Sequence, residues 1–231
     1  VVSTSDDIAD CLNLLAFSEL AVKKNATLVI GAASSPGMSG LLVRNMSKAF
    51  DSIDEVHIAL HGTGGPACAR QHHRALSGQS IGWHDGEWLR RPAGSGRELC
   101  WFPEPVGAYD CYRGELPDPL LIKRAFPELS RVTARVSAQR RDRIFARMPM
   151  LIPPRAEGGM GGLRVEVRGT KNGERVVDVV GVAERVDRGD GLTPTVHAGA
   201  DRRARVAAAL PCREVAVGEV GRSHEHAVER R

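Results

Sequence analysis

The sequence predicts an α/β protein built in two parts, half of a doubly wound domain and then a second unit of strands and helices. Three observations predict it. Residues 1–50 read strand tip, helix, short apolar strand, helix, the alternation of a doubly wound sheet. From Glu55 the apolar spacing changes to period two, the mark of a strand with one covered face. The segment from Leu163 to Glu184 reads as one long hairpin about an Asn172-Gly173 turn.

The elements follow in order. Val1-Val2-Ser3 ends a buried strand, so the start of its domain is expected to lie ahead of Val1. Thr4 or Ser5 is placed to cap a helix over residues 6–24, with Asp6 and Asp7 at its positive end and Ile8, Cys11, Leu12 and Leu15 on one face. Lys23 and Lys24 suit its negative end, and Asn25 stops it. Thr27 to Ala32 is wholly apolar after its first residue and reads as a buried parallel strand. Ser35 is placed to cap the next helix and Pro36 fits its first turn, with Met38, Leu41, Leu42, Met46 and Ala49 at helical spacing.

Beyond this point Val56, Ile58 and Leu60 alternate with His57, Ala59 and His61. A helix is expected from Pro66 to Leu76, then short strands and turns over residues 80–117. A helix near Pro119 to Ala125, a strand near Arg131 to Val136 and a basic helix near Arg140 to Arg147 follow. Gly158 to Gly162 reads as a flexible loop before the hairpin, and a helix over residues 195–209 as the last element ahead of a charged tail.

Composition narrows the function. In 231 residues, 42% apolar and 26% charged is the balance of a globular chain. A net charge of +4, from 32 basic and 28 acidic residues, with only 4% aromatics, argues against a nucleic-acid partner. No apolar run approaches the ~20 residues of a membrane helix, so no membrane partner is expected. Cys11, Cys68, Cys100, Cys111 and Cys212 form no Cys-x-x-Cys pair, which fits a reducing, cytoplasmic setting rather than a disulfide framework. His72-His73 and His224-Glu225-His226 lack further clustered ligands, so no metal site is expected.

Gly62-Thr63-Gly64-Gly65-Pro66-Ala67 matches Gly-x-Gly-x-x-Gly/Ala between a strand and a helix, and Asp85 lies where a ribose-binding acid would. Against a dinucleotide fingerprint stand His57 and His61 on the strand, the short helix, and the turn-rich Trp83 to Trp88 that follows. The competing reading is a tight strand-to-helix turn at a substrate cleft.

Several segments resemble the saccharopine-dehydrogenase-like family. They are Val2-Ser3-Thr4-Ser5-Asp6-Asp7, the run from Leu28 to Ser39 with its Gly-Ala…Pro-Gly-Met-Ser turn, and Asp54 to Leu60. Phe102 to Gly107, Glu115-Leu116-Pro117 and Phe126-Pro127 complete the match, which covers residues 1–200 and weakens toward the end. The resemblance implies that residues 1–53 are the carboxy-terminal part, the remaining half, of a Rossmann-like NAD(P)-binding domain. It implies that residues 54–215 are an α/β (α+β) substrate and dimerisation domain with a mixed sheet, leaving residues 216–231 as the tail.

It further implies an oxidoreductase that moves a hydride between NAD or NADP and a carbonyl, imine or secondary-amine substrate, and that works as a homodimer. Ser3 and Thr4 match the loop beside the nicotinamide, and Gly31, Pro36 and Gly37 match the turn beneath the active cleft. No general acid matches. The family's amino-terminal Gly-x-Gly-x-x-Gly and its following acid have no counterpart here, so the chain is expected to be inactive alone and to self-associate through an exposed strand edge. The alternative is a non-catalytic remnant or a dimerising, scaffold module.

Overall fold

The computed structural model describes residues 1–63, 65–148 and 159–185. The expected helix over 195–209, the tail, Cys212, the His224 and His226 pair, and Gly158 lie outside the described residues. The elements run β1 (Val2–Ser3), α1 (Ile8–Ala16), α2 (Ser18–Lys23), β2 (Val29–Ile30), α3 (Met38–Ser47), β3 (Ser52–His61), α4 (Pro66–Ser77) and β4 (Gln79–His84). They continue β5 (Glu87–Pro92), β6 (Glu98–Trp101), β7 (Ala108–Arg113), α5 (Asp118–Ala125), β8 (Arg131–Ser137), α6 (Arg140–Phe145), β9 (Met160–Lys171) and β10 (Glu174–Arg185). The fold is α/β with a mixed sheet.

The front part departs in detail from its sequence pattern. The single helix expected over 6–24 is two, broken at Phe17, where the Ser18 hydroxyl donates to the Leu15 carbonyl and competes with the helical ladder. Asp7, rather than Thr4 or Ser5, caps α1 by accepting from the Asp10 amide. The apolar run Thr27 to Ala32 yields only the two-residue β2, which pairs in parallel with β1 and with no other described strand. Ser35 does not cap α3, and Pro36 lies outside it. Gly37, at a φ of +140°, ends the turn, so the helix starts at Met38.

The second part is an eight-stranded mixed sheet, in the order β10-β9-β3-β8-β4-β5, with β7 also on β8 and β6 on β7. β3 and β8 are parallel, and their other pairings are antiparallel. β8 shares its outer edge, giving Arg131 and Val132 to β4 and Arg135 to Ser137 to β7. The hairpin of β9 and β10 turns at Asn172 and Gly173, with φ of +52° and +79°, the left-handed pair that a tight two-residue loop demands.

The two faces of this sheet differ. On one, Val56 and Ile58 of β3, Val132, Ala134 and Val136 of β8, and Leu163, Val165 and Val167 of β9 form the main core. Met38, Val43 and Met46 of α3, Leu76 of α4 and Ile122 of α5 pack on them, with Ala146 just past α6, so these three helices cover one face. On the other face the registers stack Arg131, Glu55 and Arg168 in one row, Thr133, His57 and Glu166 in the next, and Arg135, Ala59 and Arg164 in a third. A smaller cluster of Ala59, Cys100, Phe102 and Cys111 covers its upper part.

That cluster corrects the expected glycine loop. Gly161 and Gly162 belong to β9, and a Cβ on Gly162 would lie 2.9 Å from the Phe102 ring. The missing side chain is what lets the Phe102 ring come this close to the sheet.

Ile58→Ala is expected to lower the unfolding free energy by about 2–5 kcal/mol in urea denaturation. Val177→Ala, an exposed position of β10, is expected to change it by less than about 0.5 kcal/mol.

Candidate functional site

Ligands of open α/β sheets bind beyond the carboxyl ends of parallel strands. Two such places lie among the described residues.

The first lies past β1 and β2. Ser3 pairs with Ile30 in the ladder, and its carbonyl accepts from the Ala32 amide at 2.8 Å. Thr4 follows and is exposed. The chain then doubles back through a tight turn, in which the Ala33 amide donates to the Pro36 carbonyl and the Met38 amide to the Ala33 carbonyl, both at 3.0 Å. Thus Ser3, Gly31, Pro36 and Gly37 come together. The glycines serve the turn itself. A Cβ on Gly37 would collide with the carbonyl oxygens of Gly31 and Ala33, and one on Gly31 would lie 2.6 Å from the Pro36 ring.

Beneath this turn sits Asp118, fully buried at the start of α5. Its two carboxyl oxygens accept from the Ser35 hydroxyl at 2.6 Å and the Ser39 hydroxyl at 2.5 Å. This clasp ties the front segment to the large sheet unit. Burial raises the Asp118 carboxyl above its ordinary 3.8, the two hydroxyls pull it down, and Asp6 adds repulsion. Sequence spacing gave no sign of it, because Ser35 and Ser39 lie 83 and 79 positions from Asp118.

The second place is a cleft of about 300 Å³ at the end of β3, lined by His61, Gly62, Thr63, Pro105, Val106, Tyr109, Gly159 and Met160. His61 Nδ1 bonds the Ser137 hydroxyl at 2.9 Å, and His72 Nε2 donates to the Ser137 carbonyl at 2.7 Å. The Tyr109 ring lies on the imidazole at 3.9 Å between centroids. Burial, aided by the nearby His72, lowers the His61 pKa and so favours the neutral ring. His61 has a readable signal, as the last residue of an alternating strand before a glycine turn. Tyr109 and Ser137 come from other strands and have none.

This geometry decides the Gly62 motif. A Cβ on Gly62 would lie 2.9 Å from the Gly161 Cα, so the space its glycine leaves is filled by β9 rather than open to a pyrophosphate. Asp85 bonds through its amide to Ser130, ahead of β8, at the opposite end of the parallel pair from Gly62. No ribose bound at Gly62 could reach it. Gly62 therefore serves the close approach of β9, and Asp85 does not act with it.

The polar sheet face is a lattice of ion pairs and hydrogen bonds. Burial works to raise Glu166, but the hydrogen bonds and charges of Arg164 and Arg168 overcome it and hold the carboxyl below its ordinary value. Burial lowers His57, against the pull of Glu55 at 3.0 Å. Among the described residues no helix is long and apolar enough to cross a membrane.

In fold, the chain is similar to an apo saccharopine dehydrogenase (L-Glu forming) from Saccharomyces cerevisiae. The TM-score is 0.50 at 12% identity, over 80% of this chain and 65% of that one. The chain thus spans about two thirds of that enzyme's length. A dehydrogenase from Clostridium difficile aligns over 72% of this chain and 46% of its own, at 12% identity and a TM-score of 0.21. No protein-family model and no curated protein matches the sequence. The likeness to the yeast enzyme is one of fold.

Asp118 provides a test of the clasp. A carboxyl raised by folding favours the folded chain while protonated; that contribution is full below 3.8 and is lost as pH climbs through the raised value. Asp118→Asn is expected to remove this loss, so its unfolding free energy, followed by urea denaturation from pH 4 to pH 7, should gain on that of the parent as pH rises.

Proposed function

We propose that this chain is the substrate-side portion of an NAD(P)-linked oxidoreductase of the saccharopine-dehydrogenase-like kind. The hydride would pass between the nicotinamide and a carbonyl, imine or secondary-amine carbon of a small molecule. The observation that carries this reading is the open state of the β1–β2 unit. Two parallel strands with helices beside them form a fragment of a doubly wound sheet, and two strands alone are marginally stable. Around them Val1, Val2, Leu12, Phe17, Leu20 and Val22 are exposed, Val22 by 81%, where a complete nucleotide-binding sheet would bury such residues.

The fold likeness to yeast saccharopine dehydrogenase supports the same reading. Ser3 and Thr4 would stand beside the nicotinamide, and the Gly31 to Gly37 turn would shape the floor beneath it. The dinucleotide would be held mainly by a companion half of the sheet. A homodimer and a cytoplasmic location accompany this reading. No hydride step is assigned to a side chain here.

The test is a fluorescence titration with NADH and NADPH. Residues 1–231 alone are expected to show no saturable binding up to millimolar nucleotide, whereas the polypeptide as the cell makes it binds at micromolar levels. Micromolar binding by the 231-residue chain would show a cradle within it and contradict the division of labour. A cellular polypeptide that binds neither nucleotide would remove the oxidoreductase reading and leave the non-catalytic module.

A further inference from the structure

Three guanidiniums converge where β7 ends. Arg113 and Arg135 stand directly opposite each other in the β7–β8 ladder. Both reach the same residue of the Gly94-Ser95-Gly96 loop. Arg135 Nη1 donates to the Gly96 carbonyl at 2.5 Å, and a Cβ on Gly96 would collide with Arg113 Nη1. Arg113 Nη1 also donates to the Ser95 hydroxyl at 3.4 Å. Arg91 of β5 comes near enough to repel Arg113.

This crowding is unfavourable on its own, because like charges opposed across a strand pair repel. Burial, and then Arg135 and Arg91, push the Arg113 guanidinium below its ordinary value, with Glu98 opposing them. The side chain stays cationic all the same, since arginine is not deprotonated in proteins. Elsewhere on this sheet face the arginines are matched: Glu166 lies between Arg164 and Arg168, and Glu55 meets Arg131 and Arg168. At the end of β7 the match is incomplete. Arg97 and Asp110 pair with each other at 2.9 Å, and Glu98 is bonded to Arg135 at 2.7 Å. Among the described residues, Arg91, Arg113 and Arg135 thus share the single carboxylate of Glu98, which leaves two positive charges.

The arrangement is also held in place. The Arg113 amide donates to the Ser95 carbonyl at 2.9 Å, and the Gly94 amide to the Arg113 carbonyl at 2.8 Å. Arg143 Nε donates to the Gly94 carbonyl at 2.8 Å, so the loop is tied to both β7 and α6. The Arg135 side chain is only 14% exposed. Forked donors suit the oxygens of a phosphate, which can accept two parallel bonds from one guanidinium. Fixing such donors beforehand lowers the entropy lost on binding. A doubly charged anion matches the excess of positive charge.

We propose that Arg91, Arg113 and Arg135 bind the phosphate group of a phosphomonoester. The site uses none of Ser3, Thr4, Gly31, Pro36 or Gly37, so it can fail or hold independently of the oxidoreductase reading.

The experiment follows the arginine side-chain Nε–H signals of the 231-residue chain by NMR at pH 8, where inorganic phosphate is a dianion. Inorganic phosphate and acetate are titrated separately, with sodium chloride holding the ionic strength constant. Phosphate is expected to shift the Arg113 and Arg135 signals saturably, with a Kd of about a millimolar or tighter, and to bind at least about tenfold more tightly than acetate. Arg91 is exposed, so Arg91→Gln keeps the fold, and it should weaken phosphate about tenfold. Arg90→Gln removes the same charge from the neighbouring position, which alternates to the other face of β5, and should leave the affinity within about twofold. Two further probes give the source of the group. Glycerol 3-phosphate bound more tightly than inorganic phosphate, and weakened by Arg91→Gln, supports the site with a soluble ester as its ligand. Sedimentation with vesicles of phosphatidylcholine and phosphatidic acid, but not of phosphatidylcholine alone, and its loss in Arg91→Gln, supports the same site with a lipid headgroup. Acetate binding as tightly as phosphate overturns the proposal. So does the absence of a saturable phosphate shift at Arg113, or an equal effect of Arg90→Gln and Arg91→Gln.

Discussion

β3 is hydrogen-bonded on both edges, to parallel β8 and antiparallel β9, and its side chains alternate between two unlike surroundings. Val56 and Ile58 bind the sheet to α3, α4 and α5. Glu55 and His57 enter the ionic lattice on the opposite face. His61, the last residue of the strand, reaches the cleft. A slip of one residue would send Val56 and Ile58 into the lattice and the histidines into the core, so the register of β3 is fixed by both faces at once. The core on one side, the lattice on the other and the position of the cleft all follow from that register.

The lattice adds definition more than net stability. Glu166 is among the most buried charges in the chain, with Arg164 and Arg168 on its two oxygens. Much of the Coulombic gain of such an arrangement offsets the loss of hydration. Its consequence is geometric: each strand of the β9–β3–β8 trio is held by charged partners as well as by its backbone ladder. The Phe102 and Pro103 segment then crosses the upper part of this face only because Gly162 and Gly181 leave room, with a Cβ on Gly181 only 2.5 Å from the Pro103 ring. The same segment delivers Pro105, Val106 and Tyr109 to the cleft wall.

The sheet unit was legible wherever pattern and local turn chemistry agree. The alternation of β3, the Asn172-Gly173 hairpin and the Pro66 helix each rest on one short stretch of sequence. The front part was legible in kind and less so in extent. Its apolar residues announce a buried sheet, but β2 has one described neighbour and shrinks to two residues. Side chains were the least legible. Ser35 has the chemistry of a cap, yet its hydroxyl is taken by Asp118, 83 positions away, and Gly37 sets the start of the helix instead. Likewise Ser137 and His72 meet His61 only because β8 and α4 bring them there. Contacts between distant segments leave no periodic trace.

These features divide the described chain into a sheet unit bonded through its centre and a strand pair held mainly by its ladder and the Asp118 clasp. Native-state hydrogen exchange tests that division most directly. The amides of Val56, Ile58, Val132 and Val165 are predicted to exchange only through global unfolding, while those of Val29 and Ala32, which bond to Val1 and Ser3, exchange at lower cost through local opening. Equal protection of Val29, Ala32 and Ile58 would contradict the account, because it would mean that the front pair is as complete a structure as the sheet behind it.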